Sequence, residues 1–118
     1  MATTWAGWTA ATIKGVLVET FGTGWQNDTT KSAVVDSLIY AAWCLVKVLT
    51  ATASTITADT HPTFVNQCWF FVSLWFASNA IAPESQQAAM WYETAQQMLD
   101  SIKRDRGASE GTHTYATA

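Results

Sequence analysis

The most regular alternation of apolar and polar positions lies in the C-terminal third of the chain. Pro83 suits the first position of a helix, where its missing N–H is not needed, and Gly107 suits the position just past a helix end. Between them, apolar side chains recur every three or four residues, at Ala88, Trp91, Ala95, Met98 and Ile102. This spacing predicts an amphipathic helix that begins at Pro83 and ends before Gly107.

A second segment, from about Pro62 to Asn79, is apolar around most of the cylinder that a helix would form. The five large aromatic residues between positions 69 and 76 point in several directions, so they cannot share one buried stripe. The pattern therefore predicts a helix that is buried on several sides. The aromatic residues are Trp69, Phe70, Phe71, Trp75 and Phe76.

Two earlier helices follow from the same periodicity. One runs from about Thr29 to Leu49, and a shorter one runs from about Thr9 to Phe21, with Gly22 as its C-cap. Residues 50–60 are mostly small or β-branched, a composition that suits an extended loop or a short strand, and are interpreted as a loop. The expected fold class is all-α, a small bundle of about four helices with an extended loop and a C-terminal tail.

The expected domain organisation is one helical domain over residues 1–107. The remaining residues, 108–118, have no periodic apolar pattern and are expected to form a tail that is flexible or ordered by a partner.

Composition changes the picture of the surface. Charged residues make up 13% of the chain, about half of the roughly 25% that is typical of soluble domains. The chain also has seven Trp. Few charges and many large aromatics predict a surface that contacts protein or membrane. The net charge of −3, without a basic stripe, gives direct nucleic-acid binding little electrostatic basis.

The sequence offers little catalytic or ligand-binding chemistry, and no catalytic, cofactor-binding or metal-binding residue is predicted. Asp59 and His61 are interpreted as part of the cap before Pro62, because the chain has no CxxC, no HExxH and no pair of His at helical spacing. Glu93 and Asp100 are interpreted as a solvated helix face, and Gly22-Thr23-Gly24 as a turn. Cys44 and Cys68 are expected to be reduced and buried.

The aromatic cluster of residues 69–76 predicts a subunit interface. Each such ring buries on the order of 150–250 Å², and a thin helical domain has little room to enclose five that point in different directions. Leaving two rings in water forgoes several kcal/mol at about 25 cal/mol per Å². We therefore expect a neighbouring subunit to cover Trp69, Phe70, Phe71, Trp75 and Phe76 in part.

Two other classes of function stay open from the residues alone. The nineteen residues from Phe64 to Ala82 carry no charge and are long enough for a membrane span, as in a small holin-like, membrane-active phage protein. Asn66, Gln67 and Asn79 weigh against insertion, because polar groups in hydrocarbon need partners. The other alternative is a small helical binding module or enzyme.

The order of these elements resembles the head–tail connector (adaptor) proteins of tailed bacteriophages. The likeness extends over roughly residues 9–107 and is most specific in the last helix. There Tyr92-Glu93-Thr94-Ala95 and Leu99-Asp100-Ser101-Ile102 match a Tyr-Glu-x-Ala and Leu-x-x-Ile pattern, followed by a basic stretch and Gly107. The third helix departs from the family, because it is aromatic where the family is richer in Arg and Asp.

The resemblance implies a structural virion protein without enzymatic activity or cofactor. It implies a homo-oligomeric ring, usually twelvefold, that is assembled in the host cytoplasm and located in the virion neck. The ring would bind the portal protein and the stopper or tail proteins, without a membrane. DNA would pass through its channel without sequence-specific binding. Arg104, Arg106 and Tyr115 are expected to contact the portal or a neighbouring subunit.

Overall fold

The computed structural model describes residues 9–51 and 62–110, and the side chains of residues 9–51 and 63–105. Within these ranges the chain is helical apart from short turns, with no strand, which confirms the predicted all-α class. Residues 52–60 of the predicted loop and residues 111–118 of the predicted tail lie outside the described ranges. The helices are α1 (Ala10–Phe21), α2 (Gly24–Asn27), α3 (Thr29–Ala51), α4 (Pro62–Ile81) and α5 (Gln86–Glu110).

Side-chain and glycine caps fix the ends of the N-terminal helices. The Thr9 hydroxyl accepts a hydrogen bond from the backbone N–H of Thr12 at the start of α1. Gly22 takes a φ of 80° at its end and donates to the carbonyl of Val18. The Asp28 carboxylate accepts from the N–H groups of Thr30 and Lys31 at 3.0 and 3.1 Å, so it caps α3. The short helix α2 occupies part of the predicted turn.

The predicted ends of the last helix are wrong. Pro83 lies in a turn, where the Ser85 N–H donates to the Ala82 carbonyl, and its fixed φ suits the second position of such a turn. The Ser85 hydroxyl accepts from the N–H of Ala88 at 3.1 Å and caps α5. At the other end the helix continues through Gly107 to Glu110, past the expected boundary between domain and tail. A glycine ends a helix only when it leaves the helical φ.

The three long helices form one layer with α4 in the middle. α4 packs extensively on both α3 and α5, whereas α3 and α5 barely touch each other. α1 lies on α4 and places Ile13 and Leu17 in the common core. Extents of 50 × 30 × 19 Å agree with a thin, layered molecule. The layer therefore leaves the outward faces of α3 and α5 at its two opposite edges.

Candidate interaction surface

The first two aromatic residues of the predicted interface lie in the core of the single chain. Trp69 is 0% exposed, and its indole N–H donates to the carbonyl of Ile39 on α3 at 3.2 Å. Phe70 is also buried. Neither ring offers surface to another subunit, because the middle position of α4 lets its neighbours within the same chain cover it. The single chain therefore encloses these two of the five rings, and they offer no surface for the predicted subunit contact.

The other three aromatics, Phe71, Trp75 and Phe76, are half-buried and pack against the core. Phe71 meets Phe70 edge to face, with ring centroids 5.3 Å apart. The ring centroid of Trp75 lies 4.9 Å from that of Phe76 and 5.0 Å from that of Tyr92 of α5. The single chain thus covers much of this cluster, and Trp75 lies where α4 meets Tyr92 of α5. Their contact with another subunit stays a prediction.

The outward side of α3 is an uncharged surface with exposed apolar residues. Its inner side packs on α4 through Val35, Ile39 and Val46, which are all buried. On the opposite side, Val34 is 42% exposed and Val48 is 67% exposed. We call this side the α3 outer face and define it by the residues that helical geometry places there: Thr30, Ala33, Val34, Ser37, Ala41, Cys44, Leu45, Val48 and Ala51.

No charged side chain interrupts the α3 outer face over about six helical turns. A face this long on a surface helix usually carries charged or strongly polar groups. Small residues occupy its middle, and larger apolar residues lie towards its ends. An open depression of about 520 Å³ follows its N-terminal half. The depression is lined by Thr29, Thr30, Ala33, Val34, Ser37 and Leu38.

Polar and aromatic groups line one flank of the α3 outer face. Tyr40 stacks on Trp43 with centroids 5.9 Å apart, and the Lys47 ammonium lies 4.6 Å from the centre of the Trp43 ring. A hydrogen bond with the Cys44 side chain raises the pKa of Tyr40. Asp36, on the same flank, forms an ion pair with Lys14 of α1 and keeps 54% of its side chain exposed.

The outward side of α5 is an ordinary solvated surface. Glu93, Asp100 and Arg104 are all exposed there. Met90 is the exception, at 53% exposure. The exposed position of Arg104 leaves its predicted contact with the portal or a neighbour open. The side chain of Arg106 and the whole of Tyr115 lie outside the described residues, so their predicted contacts stay predictions.

The described side chains bring together no group of three or more His, Cys, Asp or Glu residues that could hold a metal ion. Both cysteines are free thiols, as predicted. Cys68 is fully buried, and this burial raises the pKa of its thiol to about 12. Cys44 is only half-buried, so its predicted burial is wrong. The reason is its place on the outward side of α3.

Comparisons with family models, with curated proteins and with solved structures find no match for this chain.

The surface that the aromatic pattern missed was readable from the sequence in another way. The positions three and four apart along residues 30–51 contain no charge, while Asp36 and Lys47 fall on a different side of the helix. This signal is weaker than a cluster of aromatic residues because it consists of small residues and of missing charges.

Proposed function

We propose that the chain is a structural subunit of the neck of a tailed bacteriophage, a head–tail adaptor that forms a ring beneath the portal. The observation that carries the proposal is the uncharged α3 outer face, with Val34 and Val48 exposed to solvent. Contiguous apolar surface on a small protein marks a site of contact with protein or membrane. The order of helices that resembles the connector family directs the proposal to the phage neck.

The layered fold supports a role in a ring. In a ring, one face of each subunit meets a different face of the next. The α3 outer face and the outward side of α5 lie at opposite edges of the layer and differ in chemistry, one uncharged and the other polar. A subunit with two unlike edges can join its neighbours around a closed circle, and the acidic net charge lets DNA pass without being held.

The decisive test is to locate the protein in purified virions by mass spectrometry and to image the neck by electron microscopy. We expect the chain in virions, as a ring between portal and tail. If the chain is absent from virions that contain portal and tail proteins, the proposal is wrong.

A matched pair of variants then tests the surface. Val48→Asp places a charge on the α3 outer face and should abolish incorporation into the neck. Ala11→Asp adds the same charge at an exposed residue of α1, which belongs to neither edge of the layer, and should leave incorporation intact. Circular dichroism of both variants shows whether they fold. Equal incorporation of the two folded variants would exclude the α3 outer face as the assembly surface.

One observation favours a second candidate, a membrane-active protein. Helix α3, Thr29–Ala51, is long and apolar enough to cross a membrane, with a mean hydropathy of 1.6 over an 18-residue window. The sequence had pointed to Phe64–Ala82, most of which lies in α4. Insertion of α3 would separate Val35 and Ile39 from α4 and break the bond between Trp69 and the Ile39 carbonyl. Retention of the protein in membranes after alkaline extraction would support this candidate.

A further inference from the structure

We propose that the free chain forms a two-fold dimer in which the α3 outer faces of two copies pack antiparallel. This proposal goes beyond the role in the virion, because it concerns the protein before assembly. The dimer would cover the face that the neck assembly needs. The chain would stay in this form until a partner that binds more tightly displaces the second copy.

The spacing of the α3 outer face fits another helix as its occupant. Alternating steps of four and three residues connect its central line, which is the repeat that lets two helices pack side by side along their length. Small residues at the centre allow the two backbones to approach closely. The line consists of Thr30, Val34, Ser37, Ala41, Cys44, Val48 and Ala51.

The sizes of these residues favour an antiparallel second copy. The positions of the central line belong alternately to two sets, and in an antiparallel pair a position of one set faces a position of the other set on the second helix. One such register sets Ala41 level with Cys44 of the second copy. The same register sets Val48 on Ser37 and Val34 on Ala51, so each large residue meets a small one. Ser37 lines the open depression, which therefore receives Val48, the most exposed of the large apolar residues.

The charges on the flank agree with this register. Asp36 and Lys47 are eleven residues apart, close to three full turns, so they lie on the same side of α3. In the antiparallel pair, Lys47 of one copy lies about 3 Å along the axis from the level of Asp36 of the other. Two symmetric contacts of opposite charge result. In a parallel two-fold pair the same flank of each copy lies on the opposite side of the contact, so neither of these two contacts would form.

The contact between the two α3 outer faces forms the seam of the dimer. This seam is short, so we expect a weak dimer. Specific interfaces of standard size bury about 1,200–2,000 Å², and smaller ones belong to transient complexes. A face of six turns on one helix lies at or below the lower end of that range. A dimer that dissociates on dilution also suits a form that precedes assembly, because a larger partner surface must displace the second copy.

Disulfide trapping tests both the surface and the direction, in a Cys44→Ala background that removes the native thiol from the seam. The double variant Ser37→Cys/Val48→Cys should form a covalent dimer under mild oxidation, because residue 37 of each copy is level with residue 48 of the other. Within one chain these positions are about 16 Å apart along the helix and cannot be joined. We expect a dimer band that disappears on reduction.

The two single variants, Ser37→Cys and Val48→Cys, are the matched controls. Each places its own pair of thiols about 16 Å apart along the axis of the antiparallel dimer, so neither should cross-link with itself. Mixing them in equal amounts should restore the covalent dimer. Self-linking of the single variants to the same extent as the double variant would overturn the antiparallel register.

Sedimentation equilibrium of the wild-type chain gives an independent measurement. The average mass should rise with concentration from monomer towards dimer, Ala41→Glu should remain monomeric, and Met90→Glu should behave like the wild type. A wild-type chain that stays monomeric, or that forms only rings while the Ser37→Cys/Val48→Cys variant fails to cross-link, would overturn the dimer. The proposed neck function is tested separately, because it depends on the virion.

Discussion

Individual core residues in this protein owe their properties to the central position of α4. Trp69 has an apolar ring and a polar N–H, and both are satisfied because α3 supplies apolar contacts and the carbonyl of Ile39. Cys68, beside it in the sequence, is sealed among apolar side chains and cannot readily ionise. A buried thiol of this kind behaves as a small hydrophobic residue.

The shifted Cys68 thiol predicts a pH dependence of stability. Its pKa is raised from about 9 to about 12 in the folded chain, so the native state holds this proton more tightly than the unfolded state does. The resulting stabilisation is complete below about pH 9 and is lost as the pH rises towards 12. We expect this thiol to lower the free energy of unfolding by roughly 1 kcal/mol per pH unit above pH 9.

Urea unfolding at several pH values between 8 and about 10.5 measures this dependence. Cys68→Ala is the control, because it removes the thiol and should flatten the alkaline part of the curve relative to the wild type. Parallel curves for the two proteins would show that the thiol is not protected by burial.

At the scale of the elements, the aromatic sequence of α4 suggests that this helix exposes apolar surface, but in the structure it is α3 that does so. The aromatic helix α4 is covered on both sides by its own chain, whereas the less conspicuous α3 exposes a long uncharged face. The ends of the helices also depend on local geometry. Ser85, and not Pro83, caps α5, and Gly22 but not Gly107 ends a helix.

Two glycine substitutions test these helix assignments. Gly15 lies inside α1 with open space where a Cβ would be, so Gly15→Ala should raise the free energy of unfolding by about 1 kcal/mol. Gly22 has a φ of 80°, so Gly22→Ala should lower it by about 1–2 kcal/mol, although no atom lies within 4 Å of its Cβ position.

Because both changes add the same methyl group, the sign of each effect reports the backbone conformation and not packing. Chemical denaturation of the two variants beside the wild type gives both values. The assignment of the α1 C-terminus fails if Gly22→Ala stabilises the chain.

At the scale of the whole molecule, α4 connects α1, α3 and α5 into a common core. α4 packs on α1, α3 and α5, and residues from every one of these helices belong to the same buried cluster. No long helix can detach without exposing aromatic side chains of α4 to water. We therefore expect the thin layer to unfold as a single cooperative unit, although its edges differ in chemistry.

This arrangement predicts a single unfolding transition. Helix content followed by circular dichroism and core packing followed by tryptophan fluorescence should give coincident curves in urea, because loss of one helix opens the shared core. Both signals are recorded on the same wild-type samples, at a concentration at which sedimentation shows monomer only. A transition in helix content that precedes the fluorescence change would mean that α3 or α5 leaves the layer before α4 unfolds.

The sequence by itself determined helices α1, α3, α4 and α5, because their apolar spacing and the capping residues Thr9, Asp28 and Gly22 are local signals. It also determined the low charge of the surface. The sequence did not determine the helix ends near Pro83 and Gly107, because several residues nearby can each end or begin a helix.

Only the tertiary structure decided which apolar surfaces are covered. Periodicity shows that a side of a helix is apolar, but it does not say whether the neighbour that covers it belongs to the same chain. The placement of α4 between α3 and α5 buried Trp69 and Phe70 and left Val34 and Val48 in solvent. The physical reason is that burial depends on contacts between residues far apart in sequence, which the spacing along any one helix does not contain.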